Sequence, residues 1–153
     1  MSGQRKLRAF VEDDLPALAD FWVAAWRETL PEVDFEARRP WLEARLRDVE
    51  ARGGAIVVGL GPDGRAVGFV TIDFESGYLD QLCVKPAERG SGLAKALIEE
   101  AKRLSPDVIE LEVNEANPRA IRFYAREGFI GVARGASEAS GLATLKMRWR
   151  GRA

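Results

Sequence analysis

The apolar positions of this chain follow two periods. Leu15, Leu18, Trp22, Ala25 and Trp26 recur at helical spacing, and Glu12, Asp13 and Asp14 just ahead of them place negative charge at a helix start. A break over residues 29–34, with Pro31 in it, precedes a second helical run carrying Trp41, Leu42, Leu46 and Val49. Pro40 is tolerated there only in the first turn, and Gly53-Gly54 closes the helix. The spacing then becomes that of strands over residues 55–60, 65–74 and 78–84, separated by Gly61-Pro62-Asp63-Gly64 and a short connection at 75–77. Residues 6–11 read as an earlier strand.

Past residue 84 the helical period returns at Leu93, Leu97, Ala101 and Leu104, and Pro106-Asp107 breaks it. A strand over 108–113 follows. Asn117 and Pro118 then open a helix as N-cap and first helical residue, and Gly128 ends it. Residues 129–134 and 142–149 are the last strands. The predicted order is β-α-α-β-β-β-α-β-α-β-β. This is an α/β (α+β) chain: a mixed, mostly antiparallel sheet of about seven strands with helices on both faces. With 153 residues and no repeat or linker, a single domain over 1–153 is expected.

Composition narrows the chemistry. Hydrophobic residues make up 46% and charged residues 31%, and 23 basic against 24 acidic side chains leave a net charge of −1. No single-sign field points to nucleic acid or an anionic membrane. The arginines between residues 148 and 152 read as a solvated chain end. Cys83 is the single cysteine, so no internal disulfide can form, which fits a reducing, cytoplasmic setting. No apolar run is long enough to span a membrane, and residues 1–10 are too polar for a secretory leader. The chain contains no histidine. Nucleophiles activated by histidine are excluded, as are zinc sites built on histidine or several cysteines. Proton transfer falls to Asp, Glu, Tyr, Lys, Cys83 or water.

The sharpest local signal is Arg89-Gly90-Ser91-Gly92-Leu93-Ala94, between a strand and a helix. Glycines let backbone N–H groups approach an anion, the helix start adds its own amides and positive dipole end, and Arg89 adds charge. A Walker A loop would end in Gly-Lys-Ser/Thr, which is absent. A dinucleotide loop would place Gly or Ala where Lys95 stands.

Leu82-Cys83-Val84-Lys85-Pro86, followed by that loop, resembles the signature of the GNAT superfamily of N-acetyltransferases, Gln/Arg-x-x-Gly-x-Gly/Ala, which matches at Arg89, Gly92 and Ala94. A second family block stands at residues 114–124 and closes with Gly128-Phe129. The resemblance implies that acetyl-CoA is the co-substrate, with its pyrophosphate on the backbone of residues 89–94. It also implies that its pantetheine arm lies along the backbone of Leu82, Cys83 and Val84, where the strand splays from its neighbour. Val84 is the candidate amide for polarising the thioester oxygen. Cys83 would contribute backbone and not act as a nucleophile.

By the same resemblance Asn117 contacts the cofactor as well as capping its helix, and Tyr124 protonates the departing thiolate. Glu112, twelve residues before Tyr124, matches the base of the ribosomal-protein N-terminal acetyltransferases. Asp80, Asp73 and Glu75 compete for that role. Trp22, Trp26, Phe35 and Trp41 lie in the segment that covers the acceptor in this family, although core packing is the plainer account of any one of them. The expected reaction is direct attack of a primary amine, from a small molecule or a peptide, on the thioester, in a monomer or homodimer and without a metal. A non-catalytic acetyl-CoA sensor of the same fold is the alternative.

Overall fold

The computed structural model describes residues 6–137 and 141–151. Its elements, in chain order, are β1 (Lys6–Ala9), α1 (Leu15–Thr29), α2 (Arg39–Ala51), β2 (Ala55–Leu60), β3 (Ala66–Ile72), β4 (Leu82–Val84), α3 (Leu93–Leu104), β5 (Val108–Asn114), α4 (Pro118–Arg126), β6 (Ile130–Ala136) and β7 (Ala143–Arg150). The order is the one the periodicity predicts. The strands form two antiparallel ladders, β1-β2-β3-β4 and β5-β7-β6. A single parallel bridge, Tyr78 to Glu110, joins them.

Strand alternation sends side chains to both faces. Ile56, Val58 and Phe69 pack with Leu18, Phe21 and Leu42 of α1 and α2. Val57, Val70 and Ile72 pack with Leu97 and Ile98 of α3, alongside Ile109, Leu111 and Tyr124. Helices therefore cover both faces. Among the described residues no helix is long and apolar enough to cross a membrane.

Two local features shape the surroundings of β4. Gly59 and Gly68 are paired in the β2–β3 register. They leave a gap that the fully buried Leu93 fills at the start of α3. The second feature is an irregularity before β4. Residues 78–84 do not form the single continuous strand expected of them. Thr71 N–H donates to Gln81 O and Asp73 N–H to Tyr78 O, so two steps on one side face three on the other. The extra residue makes a bulge, and Thr71 Oγ1 accepts from the amides of both Asp80 and Gln81, at 3.2 and 3.0 Å. A side-chain hydroxyl has replaced ladder bonds.

At the chain end the reading as solvated arginines fails for Arg148. Arg148 and Arg150 belong to β7, and Arg148 Nε donates to Glu110 Oε2 at 2.6 Å across the β5–β7 pair. Arg150 is exposed, as a solvated end requires, whereas Arg148 is half-buried against its partner. Arg152 lies outside the described residues.

Candidate active site

The two ladders meet at the bridge. Leu79 N–H donates to Glu110 O at 2.8 Å and Glu110 N–H donates to Gly77 O at 3.0 Å. Beyond it β4 pairs with β3 and β5 with β7, but not with each other. This leaves one edge of β4 open. The bonds Thr71 N–H to Gln81 O and Lys85 N–H to Val67 O fix which residues face β3. By the alternation of an antiparallel ladder, Cys83 turns its backbone groups to Phe69, and Leu82 and Val84 turn theirs outward. The open edge thus belongs to Leu82 and Val84. Cys83 borders the same cleft, but its backbone is engaged within the sheet, which corrects its expected part as a backbone contact.

This edge forms one wall of a cleft of about 340 Å³. Its far end is the turn before α3. Gly90 and Gly92 stand at φ +79° and +92°, and nothing lies within 4 Å of where a Cβ on either would project. That backbone region is open to glycine and strained for other residues. The amides of Gly90, Gly92 and Ala94 donate to no other backbone group among the described residues, whereas Ser91 N–H donates to Glu88 O. Ser91 Oγ accepts from the amide of Leu93 at 3.3 Å. Ser91 therefore braces the turn, and Leu93 anchors it in the core. Neither borders the cleft. Arg89 does, and it is ion-paired with Glu28 of α1.

The opposite wall is α4. Asn117 Oδ1 accepts from Ala120 N–H at 3.2 Å as an N-cap, and Asn117 also borders the cleft. Tyr124 lies between Phe123 and Phe129, with ring centroids at 5.3 and 5.5 Å in edge-on contacts. Burial holds its phenol above the ordinary range, and nearby Cys83 adds to the shift. The hydroxyl therefore keeps its proton at neutral pH. Burial also pushes the Cys83 thiol up to about 12, against a smaller opposing effect of Arg89. A thiol so protonated is a poor nucleophile.

Lys95, Arg119 and Arg126 line the cleft too. Sequence reasoning missed them. The available signal was spacing, since Arg119 and Arg126 stand two turns apart on one face of α4. Together with Arg89 they give the cleft a positive rim suited to a polyanion.

A second pocket, also of about 340 Å³, adjoins the first, and Trp26 borders both. Trp22, Phe35 and Trp41 line it, so the aromatic segment packs and lines at once. Trp22 meets Phe35 edge-on at 5.5 Å and stacks on Trp41 at 6.2 Å, and Trp22 Nε1 donates to Gln81 Oε1 at 3.2 Å. Of the candidate bases, Glu112 and Asp80 face this pocket. Thr144 Oγ1 donates to Glu112 Oε1 at 2.7 Å. Asp80 is held on both oxygens by Arg45, each contact 2.9 Å. Asp73 is elsewhere. Its Oδ1 accepts from the amides of Glu75 and Ser76, which holds its carboxyl below the usual range. Neither Asp73 nor Glu75 borders the second pocket.

The sequence profile of the Acetyltransferase (GNAT) family matches residues 15–129. This chain is a member of that family. It is 32% identical over 127 residues to the peptidyl-lysine N-acetyltransferase YjaB of Salmonella typhimurium, covering 81% of this chain and 74% of that protein. An uncharacterized N-acetyltransferase of Archaeoglobus fulgidus is 32% identical over 141 residues, covering 80% of this chain and 90% of the other. The solution structure of apo YjaB from Escherichia coli superimposes with a TM-score of 0.78 at 23% identity, over 98% of this chain and 100% of that one. A Sinorhizobium meliloti phosphinothricin acetyltransferase in complex with AcCoA gives 0.71 at 18% identity, over 98% and 89%. The GNAT chain is thus an N-acetyltransferase, an acyltransferase that delivers acetyl to an amine.

Proposed function

We propose that acetyl-CoA binds in the cleft between β4 and α4 and that a primary amine from a small molecule or a peptide binds in the adjoining aromatic pocket. The observation that supports this most is convergence. The open edge of Leu82 and Val84, the amide turn at Gly90 and Gly92, and Tyr124 border one cleft, and Trp26 stands between that cleft and the pocket holding Glu112. The fit to a coenzyme rests on the chain itself: a turn bordering the cleft whose Gly90, Gly92 and Ala94 amides donate to no backbone carbonyl among the described residues, and an unpaired strand edge on the same cleft.

When bound, acetyl-CoA supplies an activated acetyl thioester. The amides of Gly90, Gly92 and Ala94, with Arg89, would hold its diphosphate at the positive end of α3. Leu82 and Val84 would pair with its extended arm as an added strand does. The Val84 amide would polarise the acyl oxygen, Asn117 would steady the opposite wall, and Tyr124 would deliver a proton to the leaving sulfur. Glu112 draws the proton from the incoming ammonium, directly or through water. Asp80 is the weaker candidate because Arg45 occupies both its oxygens. The buried Cys83 thiol leaves direct attack by the amine as the route. The YjaB relatives carry peptidyl-lysine in their name, and a lysine side chain is accordingly the first peptide acceptor to test.

The test is a thermal melt with acetyl-CoA, with ATP and NAD as controls, followed by thiol release with an amine panel. A ligand at about 100 times its Kd adds roughly 2.7 kcal/mol to stability. A shift with acetyl-CoA alone supports the reading, and none at millimolar acetyl-CoA refutes it.

A further inference from the structure

We propose that the Arg45–Asp80 pair is the end wall of the aromatic pocket and limits the length of the aliphatic arm that the acceptor can carry. This rests on the reading of that pocket as the amine site. Trp26 marks the side of the pocket shared with the cofactor cleft. Arg45, Tyr78 and Asp80 mark another side, because they also line a third cavity of about 270 Å³. An amine directed towards Trp26 sends its tail towards whichever wall remains, and this partition is one that gives onto further space.

The wall is firmly held. Arg45 Nε and Nη2 each lie 2.9 Å from an oxygen of Asp80. The guanidinium sits over the Trp41 ring at 5.5 Å. On the other side Thr71 Oγ1 accepts from the Asp80 amide and holds the bulge that carries it. The arm itself lies against indole and phenyl surface, so each methylene gains by burial. At the wall the gain stops. An apolar chain end pressed on a partly hydrated ion pair removes water from it and returns no hydrogen bond, which costs free energy. With Arg45 shortened, the arm continues into the third cavity.

Three of the four tryptophans, Trp22, Trp26 and Trp41, line this pocket, so intrinsic fluorescence reads its occupancy without turnover. The experiment titrates n-alkylamines from ethylamine to octylamine into the wild-type chain, Arg45→Ala and Arg45→Lys, with melts to establish folding. In the wild type, affinity rises roughly fourfold per added methylene and then breaks. In Arg45→Ala the break moves to longer amines. In Arg45→Lys, which retains charge and reach, it stays. An unbroken rise in the wild type, or the same break in Arg45→Ala, overturns the proposal. Thiol release from acetyl-CoA is measured alongside. A moved break without acetyl transfer removes the catalytic reading and leaves the wall, and transfer with an unmoved break removes the wall alone.

Discussion

Leu93 packs so closely on Gly59 that a Cβ there would fall 2.7 Å from Leu93 Cδ1 and force that side chain to shift. Gly68, its partner across the ladder, is confined on more sides. Its Cβ would meet Leu93 Cδ2 at 2.9 Å, with the Cys83 carbonyl and Leu97 Cδ1 each at 3.2 Å. Gly68→Ala is expected to cost about 1–3 kcal/mol by overpacking. Because the displaced residue seats the amide turn, affinity for acetyl-CoA should fall as well. Urea unfolding and a binding isotherm measure the two effects separately.

Gly92→Val places a branched side chain at φ +92° on a residue that borders the cleft. The strain should lower stability by about 1–3 kcal/mol. The thermal shift produced by acetyl-CoA should disappear, because the side chain blocks approach to the amides. A shift equal to that of the wild type would remove the turn from the binding site.

Tyr124→Phe keeps the ring contacts with Phe123 and Phe129 and removes the proton. Turnover is expected to fall by about 10²–10⁴, with little change in acetyl-CoA affinity. Thiol release under saturating substrates gives kcat, and the melt gives binding. Undiminished turnover would take the donor role from this tyrosine.

Glu112→Gln should depress the rate most at low pH. An alkyl amine with a pKa near 10 increasingly loses its proton unaided as pH rises, so the deficit should narrow towards alkaline pH. A deficit constant across pH would point to water as the base.

Asp14 accepts from Arg8 Nη1 and Nη2 at 2.8 and 2.7 Å and from the Val11 amide at 2.9 Å. The Arg8 contact is the main cause holding its carboxyl below the usual range. Its stabilisation is therefore complete above the ordinary aspartate pKa of about 3.9 and is lost as pH falls through the depressed value. Asp14→Asn should cost about 1.5–3 kcal/mol at neutral pH, and the difference from wild type should close in acid. Urea midpoints across pH measure it.

Much of this molecule was legible before its structure. The helices announce themselves by period and punctuation, as Asn117-Pro118 does for α4 and Pro40 for α2. The glycine loop and Tyr124 could be singled out because the chemistry that the family resemblance implies calls for residue types at fixed spacing, and Gly90, Gly92 and Tyr124 border one cleft. What stayed hidden depends on competition between neighbours. Nothing in the alternation of residues 78–84 shows that the Thr71 hydroxyl will take two amides from the ladder. The motif does not reveal that Leu93 faces the core while the glycines around it face the cleft. Cys83 lost its backbone role through register, which only pairing with β3 determines. The positive rim at Arg119 and Arg126 was written in helical spacing but was obscured by how common arginine is in this chain.

The bulge before β4 works as a phase shifter. Side chains on a strand alternate in sense with every residue, and the one extra residue between Tyr78 and Gln81 resets that alternation near the boundary between the two adjoining cavities. Upstream of it the chain belongs to the junction of the ladders, and downstream it presents Leu82 and Val84 to the cleft. Deleting a single residue there would invert the count on one side, turning either Asp80 out of its pocket or Val84 into the sheet. The aromatic pocket and the β4 cleft are thus kept in step by an insertion, and a shortening of this segment would desynchronise them even if every side chain lining them were retained.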